Sequence, residues 1–394
     1  MTKKLAVLFA ITSGLAVGNL YWAQPLLAVI TGSFGVETAR GGLLVTATQI
    51  GYAAGILLLL PLGDIFRRKK LIFILMLCSA ATLTACAVAP SFSALGMLLA
   101  VLGFVTISGQ IVLPLTGDLS SDDERGHLVG IVSSGILTGI LLSRFISGVI
   151  AAVGGWRMIY FIAAILNLIM AFIVYRKVPD IEAKENIPYA ELIKSVFYTF
   201  AKYRVLPLIL LQTGFVFGIT FNLFWTGLTF HISGEPFFYS TFRIGLLSLV
   251  GLAGAAGGMG IGKLQDKGLG IPALGIFIAI DGMCMLAGLV FGSSVIAIAV
   301  IGAVFSLATQ GVSVLCQARL FELSGTERSR LNTVFVVNNF LFSAVGSTLA
   351  SVLWNHGGWN AITIGGIFAA IAAFIIWIIA RNRFQIMDDR RRNQ

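Results

Sequence analysis

Apolar residues along this chain gather into long uninterrupted runs separated by short polar stretches, and they do not alternate with polar positions. A run of about 18 or more apolar residues crosses ~30 Å of hydrocarbon as a helix, whereas a membrane barrel shows ~10-residue alternating segments. The pattern predicts twelve spans, at about 5–31, 41–62, 71–89, 92–116, 128–153, 156–176, 205–231, 240–262, 271–291, 293–318, 331–353 and 359–380. The first run follows Lys3 and Lys4 as a signal peptide would, but it continues through Trp22, Gln24 and Pro25 without a small-residue cleavage site. An uncleaved first helix is expected.

Composition agrees with that pattern. Hydrophobic residues make up 57% of 394 positions and charged residues 11%, against roughly 25% charged in a soluble domain. The formal charge of +10 raises the question of a nucleic-acid partner. Its distribution answers against one, because the termini and the loops after even-numbered spans carry 23 of the 27 lysines and arginines, while Arg40, Arg157 and Arg243 lie on the other side. That bias is the positive-inside rule and predicts a multi-pass protein of the bacterial cytoplasmic (inner) membrane with both termini in the cytoplasm. Cys78, Cys86, Cys284 and Cys316 lie in apolar runs without metal or redox spacing, and His127, His231 and His356 are scattered. No metal and no cofactor is expected.

The largest polar break, residues 176–204, divides the spans six and six. The expected organisation is an N-terminal bundle at 1–175, a cytoplasmic linker at 176–204, a C-terminal bundle at 205–381 and a basic tail at 382–394. Within the linker, Leu192, Ile193, Val196, Phe197 and Phe200 alternate with polar residues, as in a helix lying on a membrane surface. The halves also read as copies. "TARGGLL" from Thr38 and "TFRIGLL" from Thr241 match in register, Ser121, Glu124 and Arg125 recur as Ser324, Glu327 and Arg328, and Gly154, Gly155 and Trp156 recur as Gly357, Gly358 and Trp359. Parallel repeats of this kind build secondary transporters with a site between the halves. Both Ser-x-x-Glu copies also fit a helix capping box.

The loop after the second span, "PLGDIFRRKK" at 61–70, resembles the hallmark loop of the major facilitator superfamily through Asp64 and Arg68, although Leu60 and Arg67 stand where that motif has glycines. Its copy after the eighth span keeps Gly262 and Asp266. The resemblance covers the whole chain and implies two six-helix bundles, with Asp64, Arg68 and Asp266 closing a cytoplasmic gate. A solvated, topology-setting charge run is the other reading of that loop, and it fits Lys69 and Lys70. In the fifth span, Gly135 and Gly139 match part of the signature of the family's drug:proton antiporter group, but Ile140, Ser143 and Arg144 replace its proline and glycine pair. Together with Gly254 and Gly258 of the eighth span, these glycines form small-residue stripes that let helices approach closely. The family packs those two spans between its bundles, so an inter-bundle contact is implied, and static packing is the alternative.

Two ionisable groups interrupt the apolar runs. Arg144 in "GILTGILLSRFISG" either faces a cavity or snorkels outward; exposing it to lipid costs roughly 3 kcal/mol or more. The fourth span lacks the arginine that the family links to proton coupling, which leaves Arg144 as a replacement. Asp281 in "FIAIDGMCML" is the clear intramembrane acid. Hydrocarbon favours the neutral carboxyl, which suits a proton carrier. The family's ninth span is outer scaffold, however, so a packing role is equally open. Tyr21, Gln24, Gln110, Asn222, Trp225 and Gln310 fall on the spans that line the family's cavity and are the expected substrate contacts.

"GGMGIGK" at 257–263 resembles a phosphate-binding loop but has Leu264 in place of Ser or Thr and follows a membrane span rather than a strand. Transport energy is therefore expected from an ion gradient. The resulting expectation is a proton-coupled secondary transporter, not an enzyme, that exports a neutral or anionic small molecule by alternating access (efflux by antiport). An uptake symporter and a non-transporting membrane sensor are the alternatives. Its partners would be substrate, protons and lipid, with no nucleic acid, and the chain is expected to be a monomer.

Overall fold

The computed structural model describes residues 2–180, 188–251, 261, 264–265, 267–324 and 327–392. The described chain is helical throughout, and nine of its helices are long and apolar enough to cross a bilayer. Three further spans are not counted separately, each for a visible reason. The first is interrupted, as helix Lys3–Gly18 gives way to turns and a 3-10 turn, Gln24–Leu26, before helix Leu27–Ser33. The eighth begins as Thr241–Ser248 and runs into residues outside the described set. The eleventh and twelfth run together as Arg328–Arg392 but break at Gly357 and Gly358.

That last break is one of a pair. Gly155 (φ 75°) separates helix Asp122–Gly154 from Trp156–Lys177, and Gly358 (φ 56°) separates the eleventh span from the twelfth. Both angles lie where a side chain is strained, so the repeated Gly-Gly-Trp sets the same corner in both halves. The tryptophan after each corner is buried and tied down, with Trp156 donating to Ser33 Oγ and Trp359 to the Gly288 carbonyl. The repeated capping boxes are realised unequally. Ser324 Oγ accepts from the Glu327 amide at 3.2 Å, whereas Ser121 makes no side-chain cap.

The chain separates into two compact units, Met1–Lys194 with Phe237–Leu249, and Ser195–Pro236 with Val250–Gln394. In the first unit, Gly139 lies against the backbone of Gly14, and Gly135 against that of Ala10. The stripe expected between the bundles thus joins the fifth span to the first. Further along the fifth span, Gly148 meets the backbone of Thr241 and Gly245, which draws helix Thr241–Ser248 into this unit. Gly254 and Gly258 lie outside the described residues. In the second unit the seventh span is irregular, with a π-helical turn, Gly214–Thr220, between helices Leu206–Thr213 and Phe221–Ser233. The linker helix forms as Tyr189–Lys202, with Leu192 and Val196 buried and Phe197 and Phe200 exposed.

Candidate functional site

The interruption of the first span positions one group of candidate residues. Asn19, which caps helix Lys3–Gly18 at the start of the turns, donates to Thr106 Oγ1 (2.9 Å) and Asn167 Oδ1 (3.3 Å) and accepts from Trp22 Nε1 (2.9 Å). Thr106 also donates to the Ala16 carbonyl, and it stands where the fourth span breaks between Phe92–Val105 and Ser108–Asp118. Two broken helices are thus pinned to the sixth span by fully buried polar groups, an arrangement that membrane interiors tolerate only where the freed backbone finds partners inside protein. Thr106 and Asn167 were not among the expected site residues. For Asn167 the signal in the sequence was an asparagine within an apolar run; Thr106 carried none.

Beyond this pin, Tyr21 and Gln24 are buried. The Arg144 guanidinium lies 4.8 Å from the centre of the Tyr21 ring, a cation–π contact. Arg144 is 1% exposed, so it faces the protein interior. Both amide atoms of Gln24 are buried with no hydrogen-bond partner among the described residues. Leaving such atoms unpaired costs about 1–3 kcal/mol each. Gln110 does not join Gln24; it donates to the Tyr52 hydroxyl at 3.1 Å. An apolar groove of about 330 Å³ lies between the first, fifth and sixth spans, lined by Gly14, Gly18, Gly139, Leu142 and Leu166. The glycines that bring the helices together also leave it open.

In the second unit Asp281 is fully buried in helix Gly270–Phe291 and lies 3.2 Å from Thr220 Oγ1 at the end of the π-helical turn. Its Oδ2 has no hydrogen-bond partner among the described residues. The acid of the ninth span is therefore bonded to the seventh. Asn222 donates to the Gly218 carbonyl (2.8 Å), so its amide is engaged in that same turn. Trp225 packs edge-on against Phe224 within an aromatic cluster that includes Phe221 and Phe305. Gln310 is half-buried on helix Val295–Glu322.

Around the "PLGDIFRRKK" loop, Arg68 is a clamp within the first unit. It donates to Asp64 Oδ1 (2.9 Å), to Asp118 Oδ2 (2.5 Å) and to the Gly63 carbonyl (2.9 Å). Asp118, at the end of the fourth span, was not among the expected residues, and Asp266 lies outside the described set. Arg68→Ala leaves two carboxylates without their shared cation. It is expected to cost about 2 kcal/mol, the range for hydrogen bonds to charged groups, read as a lowered melting temperature. In the second unit Glu327, the counterpart of Glu124, accepts from Lys202 and Tyr203 (2.8 Å each). Those two donors, Lys202 first, hold its carboxyl below the usual glutamate range.

A family model described as Major Facilitator Superfamily matches residues 9–320. YgaY of Escherichia coli O157:H7, an uncharacterized transporter, is 34% identical over 377 residues, covering 96% of this chain and 95% of the relative. The inner membrane transport protein YnfM of Escherichia coli K12 is 24% identical over 382 residues, covering 93% and 88%. Among solved structures, the nucleoside transporter NupG superposes with a TM-score of 0.76 at 14% identity, covering 97% of this chain and all of the other. A bacterial homologue of the human lysosomal transporter Spinster, inward-facing and occupied, superposes at 0.74 with 13% identity, covering 98% and 96%. At such identities the superpositions speak for the fold alone. The family match and the close relative together place this chain in the Major Facilitator Superfamily of membrane transporters.

Proposed function

We propose that the protein is a proton-coupled exporter of neutral or anionic small organic molecules in the bacterial inner membrane, with both termini cytoplasmic, working by alternating access as a monomer. The observation that carries this reading is the bond between Asp281 and Thr220. It links the intramembrane acid to a span that lines the cavity in the family, which supports a role for it beyond scaffold. A carboxyl group that is neutral in hydrocarbon and ionised when water reaches it is a proton carrier by elementary solvation. The N-terminal bundle (1–175), the linker (176–204), the C-terminal bundle (205–381) and the tail (382–394) are the moving and connecting parts. Tyr21, Gln24, Gln110, Arg144, Asn222, Trp225 and Gln310 contact substrate in this proposal. Asp281 and Arg144 couple its movement to protons. Asp64, Arg68 and Asp266 close the cytoplasmic side.

A panel of fluorescent cationic, anionic and neutral aromatic compounds in everted vesicles tests the reading. Proton-driven accumulation of an anionic or neutral member, abolished by an uncoupler, is expected. Accumulation driven by the opposite gradient would mean uptake by symport. Arg144→Ala is expected to weaken the apparent affinity for anionic members about tenfold or more, because a charge-assisted contact is lost. Robust transport of a cationic dye that is indifferent to Arg144→Ala would remove the charge argument.

A further inference from the structure

Three oxygens of the second unit lie in a chain. Thr220 Oγ1 is 2.6 Å from the Val216 carbonyl oxygen and 3.2 Å from Asp281 Oδ1. A threonine hydroxyl has one proton to give. The Val216 carbonyl can only accept, so at the shorter distance it takes that proton. Thr220 then turns a lone pair toward Asp281, and an ionised carboxylate there would meet oxygen with no hydrogen between them. We infer that Asp281 is a neutral acid in this state, donating from Oδ1 to Thr220 Oγ1, and that Thr220 passes the loss of this proton on to the backbone of the seventh span. The inference rests on the role proposed for Asp281 and specifies how that role is exercised.

Among the described residues, no opposite charge is seen to pair with the acid. The elements packed on Gly270–Phe291 are the π-helical turn, helix Val295–Glu322 and the 359–380 part of the last helix, which touches Gly275, Gly282 and Gly288. The ionisable side chains of these elements stand at their ends: His231 in the last turn of Phe221–Ser233, against the Gly292 carbonyl, Arg319 and Glu322 in the last turn of Val295–Glu322, and His356 beside the break in the last helix. Cys284, on the same helix, is the nearest titratable neighbour in sequence. Among the described residues the polar contact of this carboxyl is the hydrogen bond with Thr220.

Proton loss then has a mechanical consequence. The proton on Oδ1 leaves to water, which becomes hydronium, and the carboxylate left behind requires a donor. The hydroxyl of Thr220 is in reach and turns from Val216 to the carboxylate, which leaves the Val216 carbonyl without that partner. This carbonyl belongs to the π-helical turn Gly214–Thr220, where wide i→i+5 pairing already departs from the α-helix. The proton is thereby read by the segment whose hydrogen bonding has an alternative register. Thr220 is a positioning residue in this scheme, acting through Asp281.

Infrared difference spectroscopy of the full-length protein in vesicles tests the relay without a known substrate. Wild-type protein at neutral pH is expected to show the carbonyl stretch of a protonated, hydrogen-bonded carboxylic acid, absent from Asp281→Asn. In Thr220→Val the band should persist but shift to higher frequency, because the acid has lost its acceptor, and Thr220→Ser should restore it. A folded wild-type protein without the band, or an unshifted band in Thr220→Val, would overturn the inference. So would loss of the band on adding sodium chloride but not choline chloride at constant pH, which would assign the site to sodium. In vesicles moving a compound from the panel, Thr220→Val should lower coupled proton flux at least tenfold and Thr220→Ser restore it; an unaltered flux would refute transmission through Thr220. If the bands behave as expected but no compound drives protons, the relay stands and the proton-coupled reading fails.

Discussion

Asp281→Asn is expected to reduce substrate-driven proton movement to background while the protein stays folded. Asparagine has nearly the size of the protonated acid and can keep a hydrogen bond to Thr220 Oγ1, so the neutral state is imitated. It has no proton to release in the physiological range, which freezes the group in that state. Burial of the wild-type side chain is complete, so the substitution removes no solvated charge and should alter the melting temperature little. The measurement is the change of a pH-sensitive dye inside vesicles when a transported member of the panel is added. Proton movement equal to wild type would release Asp281 from the coupling role and leave it as packing.

Gly139→Ala is expected to give the largest loss of stability of any single methyl addition in the fifth span. A methyl group at this position would sit 2.2 Å from the Gly14 carbonyl oxygen and 2.5 Å from its Cα. Those are backbone atoms, so no side chain can rotate away and the first and fifth spans must separate. Overpacking of that kind costs about 1–3 kcal/mol, and here it also disturbs the helix that leads into the turns carrying Tyr21 and Gln24. Gly130→Ala is the control, because a methyl group there meets nothing within 4 Å in the same helix. Thermal melting in detergent should show a clear drop for the first variant and none for the second. Equal melting would mean the two spans separate at no cost.

The spans were readable because hydrocarbon demands long apolar helices, and that demand acts on composition alone. The paired glycine corners were readable for a related reason: a positive φ restricts the residue type, so the requirement is written at Gly155 and Gly358 whatever packs around them. The candidate site was legible in part. Residue type flagged Arg144 and Asp281, because a charge in an apolar run stands out, but type says nothing of partners. The sequence left packing and proton carrying equally open for Asp281 and did not show its bond to Thr220, and the clamp on Arg68 depends on Asp118, fifty positions away in sequence.

The glycine stripe shows the same limit. Four-residue spacing identifies a face on which another helix can come close, yet any apolar neighbour satisfies that pattern, and Gly139 met the first span. The amino-acid order by itself determined how many times the chain crosses, where it turns and which side chains are out of place in lipid. Tertiary structure alone decided which of those side chains meet, because a hydrogen bond or close contact between distant segments depends on helix rotation and depth, and neither leaves a local mark on the chain.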